Sequence, residues 1–197
     1  MTGWTTHAGR AAGLALESID TDQLIPARFM ATPRDQGYGR FLLHDMRFGA
    51  DGRPRPTPLR DDTSVLVARR NFGSGSSREA AVYALVDYGI RAVIAPGFGD
   101  IFASNAVNNG LLPARIPDTA VEAMLARLAD ADAEARIDLT AGTLRVAGIE
   151  ARFDLPESWK VKLINGWDDI DLTLQHRDRI AAFARSYQDD PAHRPEN

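Results

Sequence analysis

Two adjacent serines and an arginine, Ser76-Ser77-Arg78, follow the glycine-rich stretch Asn71-Phe72-Gly73-Ser74-Gly75 and precede Glu79 and an apolar-periodic segment. Hydroxyls and a guanidinium gathered at the start of a helix suit an anion. The first helical amides have no intrahelical acceptor, the helix dipole adds partial positive charge there, and arginine presents a planar fork to a carboxylate. The same spacing also fits a capping box in which Ser76 and Glu79 satisfy each other's backbone amides and do nothing more. Spacing alone leaves both open. Other signatures fit less well. The lysine of a phosphate-binding P-loop is missing, Arg78 stands where a dinucleotide fold needs its third glycine, and there is no G-x-S-x-G nucleophile elbow.

The elements that must position these residues follow from periodicity. Val65 to Ala68 is an apolar run that reads as a buried strand, and Ala81, Val82, Leu85 and Tyr88 recur at helical spacing, with Gly89 placed for a left-handed C-terminal cap. Ser76 and Ser77 are therefore expected in the first turn of that helix. Ala92 to Ala95 reads as a second buried strand, and a helix starting at Asp100 or Ser104 ends before Gly110, which together imply neighbouring parallel strands. Upstream, residues 11 to 25 read as a short strand and a turn at Asp20-Thr21-Asp22. No further regularly spaced oxygen ligands accompany these two aspartates, so turn formation outweighs cation binding.

Residues 33 to 62, rich in glycine and proline, read as irregular structure around a short helix or turn near Phe41 to Phe48. Downstream, Val121, Met124, Leu125 and Leu128 mark a helix capped at Asp118 or Thr119. Arg136 to Leu139 and Thr143 to Ala147 form a hairpin across Thr140-Ala141-Gly142, which Ala151 to Leu155 extends. Helices are expected at Glu157 to Asn165 and Arg177 to Tyr187. A single domain over residues 1–187 and a disordered tail over 188–197 complete the expectation.

Gly73 to Glu79 resembles the Gly-x-Gly-Ser-Ser-Arg-Glu signature of the mobile swivel domain of the aconitase superfamily, in the form of the separate small subunit of 3-isopropylmalate dehydratase. Three further blocks are similar to that family in the same order: Ile19 to Phe29, Ala92 to Pro113, and Gly166 to Ile170 followed by Leu172 to Gln175. The resemblance spans about His7 to Phe183. It implies an α/β fold, a swivelling β/β/α domain whose mixed, mainly parallel sheet is flanked by helices. It also implies a hydro-lyase that isomerises 2-isopropylmalate to 3-isopropylmalate in leucine biosynthesis.

By this resemblance Ser76 is the catalytic serine, Ser77 supports substrate oxygens, Arg78 binds a substrate carboxylate, and Asp22 is an active-site aspartate that orders polar neighbours. Arg28-Phe29-Met30-Ala31-Thr32 corresponds to the loop that recognises the substrate's variable arm. Arg28 there suits a carboxylate, with Thr32 beside it, while Phe29 and Met30 suit an apolar arm or, read without the resemblance, the core. Two positions depart from many bacterial relatives: Ala80 replaces a histidine, and Asp45-Met46-Arg47 stands where Asp-Trp-Arg is frequent. Methyl-substituted malates and homoaconitate are therefore alternative substrates, Arg47 an alternative to Arg28 as the second carboxylate ligand, and an anion-binding module or purely structural subunit the alternative functions.

The chain has 197 residues, 44% of them hydrophobic, which is ample for one core, and no cysteine. Iron–sulfur clusters are held by thiolates, so the [4Fe–4S] cluster of the family is expected on a partner large subunit, leaving this chain without a metal of its own. His7, His44, His176 and His193 show no metal-ligand spacing. A formal net charge of −4 gives no footprint for nucleic acid, and no apolar run approaches a membrane span. Met1-Thr2-Gly3-Trp4 lacks the basic and apolar regions of a secretory leader, so a cytoplasmic location is expected.

Overall fold

In the computed structural model, which describes residues 2–129 and 133–189, the uninterrupted apolar run at residues 65–68 becomes the fully buried part of a central strand, β2 (Thr63–Ala68). Seven strands form one sheet in the order β4-β3-β2-β1-β5-β6-β7. β1 (Thr6–Leu14) joins its two halves. Its C-terminal part pairs in parallel with β2, from Ala11 opposite Val65 to Leu14 opposite Ala68. Its N-terminal part pairs antiparallel with β5 (Ala133–Asp138), from Thr6 opposite Asp138 to Ala11 opposite Ala133.

The parallel half continues through β3 (Ala92–Ala95) and β4 (Leu112–Arg115). The antiparallel half continues through β6 (Thr143–Val146) and β7 (Ile149–Arg152). The mixed sheet implied by the resemblance is thus present, with three parallel and three antiparallel pairings. β1 starts earlier than the expected 11, because Thr6 to Gly9 gain their ladder partners from β5, more than a hundred residues away in sequence.

Strand alternation divides the core into two layers. Leu66, Ala68, Val93 and Ala95 face α3 (Glu79–Tyr88) and α4 (Asp100–Asn108). Val65, Val67, Ala92 and Ile94 face the opposite way, where Val121, Met124 and Leu125 of α5 (Asp118–Leu128) cover them. Ala81, Val82, Ala84 and Leu85 of α3 are fully buried, and burying each larger aliphatic among them contributes about 1.5–3 kcal/mol. α3 ends as its sequence demands, with Gly89 at φ 110° in the left-handed region.

The turn expected at Asp20-Thr21-Asp22 is instead the start of the short helix α1 (Thr21–Leu24), with Asp20 at its N-cap. Asp20 accepts from the Gln23 N–H and Gln23 reaches back to the Asp20 amide, a capping box that converts the turn into a helical one. The long segment after it is irregular as expected, with α2 (His44–Arg47) as its short helix. Asp87 of α3 ties this segment down, accepting from both Arg34 Nη atoms at 2.7 and 3.0 Å and from the Tyr38 N–H at 2.7 Å.

At the C-terminal end α6 (Glu157–Asn165) is followed by α7 (Asp169–Leu174), capped by Asp168, and α8 (Arg177–Asp189). The buried ammonium of Lys162 fastens α6 to the rest, donating to Asn108 Oδ1 at 2.9 Å and to the Asp169 carboxylate. The tail expected over 188–197 lies, from residue 190 onward, outside the described residues, as does His193.

Candidate active site

The loop from Phe72 to Arg78 is held at both ends. Phe72 is fully buried, donates its N–H to the Gly97 carbonyl at 3.1 Å and accepts from the Gly99 N–H at 2.9 Å. Its ring meets Phe98 and Phe102 edge-on, at centroid separations of 6.3 and 5.4 Å. Gly73 (φ 71°) and Gly75 (φ 92°) occupy the left-handed region, which is why the signature needs both. A Cβ on Gly73 would also lie on the Phe102 ring, 2.5 Å from Cδ2 and 2.6 Å from Cδ1.

The N-terminal block supplies the other wall. The Thr21 N–H donates to the Ser74 carbonyl and the Thr21 Oγ1 to the Ser76 carbonyl, both at 3.0 Å. Arg78 forms an ion pair with Asp22, 56 positions away in sequence, with the arginine half-buried and the aspartate exposed. Two of the four blocks singled out in the sequence are therefore joined residue to residue.

Ser76 and Ser77 are exposed and lie ahead of α3, whose N-terminal capping position is Arg78 in an extended conformation (φ −115°, ψ 102°). This corrects the expectation that they sit in its first turn. The helix dipole, which fades within a turn, acts on them more weakly than the sequence suggests. The capping-box alternative is likewise not formed: α3 has no side-chain cap, and Glu79 instead accepts from Asn109 Nδ2 at 2.9 Å.

Ser76, Ser77 and Arg78 line a cavity of about 230 Å³ together with Thr21, Asp100, Ile101 and Asn105. The last three went unassigned in the sequence. Their signal is the block following Gly99, which brings the first turns of α4 against the serine loop. A larger concavity of about 870 Å³ opens on the antiparallel half of the sheet and contains none of these groups. Of its three arginines, Arg145 and Arg136 are engaged by Glu150 and Glu134, and Arg152 donates to the Ala141 carbonyl at 3.4 Å.

The 28–32 segment follows Thr21 closely in sequence but does not line the 230 Å³ cavity of Ser76, Ser77 and Arg78. Arg28 pairs with Asp45, Nη1 donating to Oδ2 at 3.0 Å, and His44 Nδ1 is 3.2 Å from Asp45 Oδ1. The Arg28 hydrogen bond holds the Asp45 carboxyl down at about 2, and the same bond raises Arg28. Phe29 stacks on Phe41 at 4.3 Å and 9°, Met30 is exposed, and Thr32 accepts from the Tyr38 hydroxyl at 3.0 Å. Arg47, the other candidate carboxylate ligand, donates to the Leu42 carbonyl at 3.0 Å. Ala80 is buried in the core under the loop.

Fold and site together define the class. Residues 1–119 match the aconitase C-terminal domain family. Residues 169–188 match a second model, for the C-terminal domain of 3-isopropylmalate dehydratase small subunits. The 3-isopropylmalate dehydratase small subunit of Shouchella clausii is 42% identical over 182 residues, covering 90% of this chain and 92% of its own. That of Geobacillus kaustophilus is 42% identical over 195 residues, covering 95% and 98%. The crystal structure of a 3-isopropylmalate dehydratase from Methanocaldococcus jannaschii superposes with a TM-score of 0.67 at 25% identity, covering 91% of this chain and 99% of that one. The chain belongs to the 3-isopropylmalate dehydratase small subunit family, a family of hydro-lyase subunits.

Proposed function

We propose that this chain is the small subunit that completes the active site of an enzyme interconverting 2-isopropylmalate and 3-isopropylmalate, a step of leucine biosynthesis in the cytoplasm. The observation that carries the proposal is the placement of Ser76 and Arg78 on one cavity wall, with Arg78 oriented by Asp22. The chain has no cysteine, so its residues do not fit an iron–sulfur cluster. In this proposal the [4Fe–4S] cluster belongs to the large subunit and supplies Lewis acidity toward the substrate hydroxyl.

The residues of this chain do the rest. Arg78 grips one substrate carboxylate with the edge of its fork that Asp22 leaves open, which fixes the reacting carbon over Ser76. Ser76, as the alkoxide, takes the proton from the carbon adjacent to the one bearing the hydroxyl and holds it as a hydroxyl until rehydration in the opposite sense returns it. A serine exposed to water is a poor base. Exclusion of water by the large subunit would strengthen the attraction between the Arg78 guanidinium and the alkoxide, which offsets the desolvation that otherwise disfavours the charge. Ser77 supports the substrate oxygens, while Arg28, Phe29, Met30 and Thr32 meet the variable arm and the second carboxylate once the two chains close.

The test is anaerobic co-expression with the large subunit and turnover of a panel of substituted malates. Ser76→Ala is expected to lower kcat by about 10²–10⁴-fold with assembly intact. Normal turnover by that variant removes Ser76 as the base, and preference for a methyl-substituted malate or homoaconitate changes the substrate.

A further inference from the structure

The wall of the Ser76 cavity that α4 supplies has an amide with nothing to bond. Asn71, Asn108, Asn109 and Asn165 each donate from the side-chain amide to another group of the chain, at 2.8 to 3.0 Å. Asn105 does not. It is half-buried and lines the cavity with Ser76 and Ser77, and its amide has no hydrogen-bond partner among the described residues. Its backbone carbonyl is taken, accepting from Asn109 Nδ2 at 2.9 Å, so two N–H donors and one acceptor of the side chain are free. One turn earlier on the same helix face, Ile101 also lines the cavity and is 55% exposed. The other apolar side chain of the lining, Phe102, is 4% exposed and belongs to the aromatic cluster under the loop.

The direction of this wall is set at its far end, where Asn109 donates to Glu79, the neighbour of Arg78. Ile101, Asn105 and this anchor therefore follow one another along α4, roughly 6 Å apart at 1.5 Å per residue. Charge runs the same way. Of the lining residues Arg78 is the one cation and Asp100, next to Ile101, the one acid. A substrate anion is drawn to the Arg78 end and kept from the Ile101 end. We propose that α4 supplies a substrate subsite, in which Asn105 Nδ2 donates to an oxygen of the carboxylate that Arg78 holds and Ile101 packs against the aliphatic branch. The substrate class rests on the proposed function. A small hydroxydicarboxylate with an apolar substituent suits a cavity of about 230 Å³, which is below the size that drug-sized ligands need. The amide contact is common to every substituted malate, whereas the Ile101 contact grows with the branch.

The experiment measures kcat and KM of the assembled two-chain enzyme for 2-isopropylmalate and for a methyl-substituted malate, with melting and size-exclusion profiles of each assembly. Neither Ile101 nor Asn105 is part of the core, so the variants are expected to melt and assemble with the wild type. Ile101→Ala is expected to lower kcat/KM about 10–100-fold for the isopropyl substrate and less than about threefold for the methyl one, while Ile101→Leu holds their ratio within about threefold. Asn105→Ala is expected to lower kcat/KM about 10–100-fold for both substrates alike, and Asn105→Asp, which sets an acceptor where the donor stood, by more. A substrate ratio unmoved by Ile101→Ala overturns the branch contact, as does an equal loss on both substrates that follows weakened assembly. Asn105→Asp turning over as wild type overturns the amide contact. A wild-type assembly inactive on every malate overturns the proposed function and this subsite with it, whereas an active wild type with indifferent variants overturns the subsite alone.

Discussion

Replacing Gly73 by alanine separates the two demands placed on that residue. Gly73 sits at φ 71°, and an L-residue there costs about 1–2 kcal/mol. Its new methyl would also press on the Phe102 ring, with Cδ2 at 2.5 Å and Cδ1 at 2.6 Å. That ring is 4% exposed, with Phe72 5.4 Å and Phe98 6.4 Å away between centroids, so it has nowhere to turn. Overpacking of this kind costs a further ~1–3 kcal/mol. Gly52 is the control, since its φ is 74° and an added Cβ would meet nothing within 4 Å. At the 2–4 °C per kcal/mol typical of this size, Gly52→Ala should therefore lower the melting temperature by ~2–8 °C, and Gly73→Ala by about 4–20 °C, always the larger shift of the two. Thermal unfolding followed by circular dichroism gives both numbers. In a double-mutant cycle, Phe102→Leu should return part of the Gly73→Ala loss. Equal shifts for the two glycine variants would refute the claim that the aromatic cluster fixes the serine loop.

Asp22→Asn should cost at most ~1 kcal/mol of stability, because the Asp22 partner of the pair is exposed, yet lower kcat/KM of the assembled enzyme at least ~10-fold through loss of guanidinium orientation. Equal kcat/KM would remove the orienting role. Lys162 is 5% exposed at its side chain against 65% for Asp169, so Asp169→Asn leaves a buried cation short of a partner and should destabilise by ~1–3 kcal/mol, whereas Lys162→Met should cost less. Denaturant titration orders the two. Asp45 carries a depressed carboxyl, at about 2, so its contribution is complete above the ordinary carboxylate range and lost as pH falls through it toward 2. With both partners more than half exposed, the effect is under ~1 kcal/mol. Unfolding midpoints of wild type and Asp45→Asn should therefore converge as pH is lowered from 5 to about 2, and a constant gap would contradict the pairing.

Elements with a local period were legible in the sequence. The strand at residues 65–68, the buried stripe of α3 and its Gly89 cap, the β5–β6 hairpin and the bounds of α6 all appear where periodicity and turn residues place them. Elements fixed by distant partners were not. Thr6 to Gly9 have no strand signal of their own and are strand because β5 pairs with them. Asp20-Thr21-Asp22 looks like a turn, and only the Gln23 side chain folding back makes it helical. The start of α3 at Glu79 rather than Ser76 reflects Arg78 held extended beside Asp22, a long-range contact. Likewise Arg28 meets Asp45 across an irregular segment with no periodicity to announce it.

The Asp22–Arg78 pair sets a trade-off at the centre of the site. A carboxylate beside the guanidinium weakens its attraction for a substrate anion, so for affinity alone Asp22 would be better absent. A guanidinium has five donors, however, and Asp22 engages it through Nη1, leaving another edge to a second carboxylate. Binding that edge needs no reordering of the arginine, because the ion pair and the half-burial of Arg78 have already restricted its rotamers. Under the proposed assignment of Arg78 to a substrate carboxylate, this geometry exchanges ground-state affinity for orientation, which raises kcat rather than lowering KM. Ser76 likewise lies on a loop tied to Thr21 and the phenylalanine cluster, the rigidity that its proposed role as base requires. Rigidity is supplied within this chain, and in the proposed assembly water exclusion falls to the large subunit.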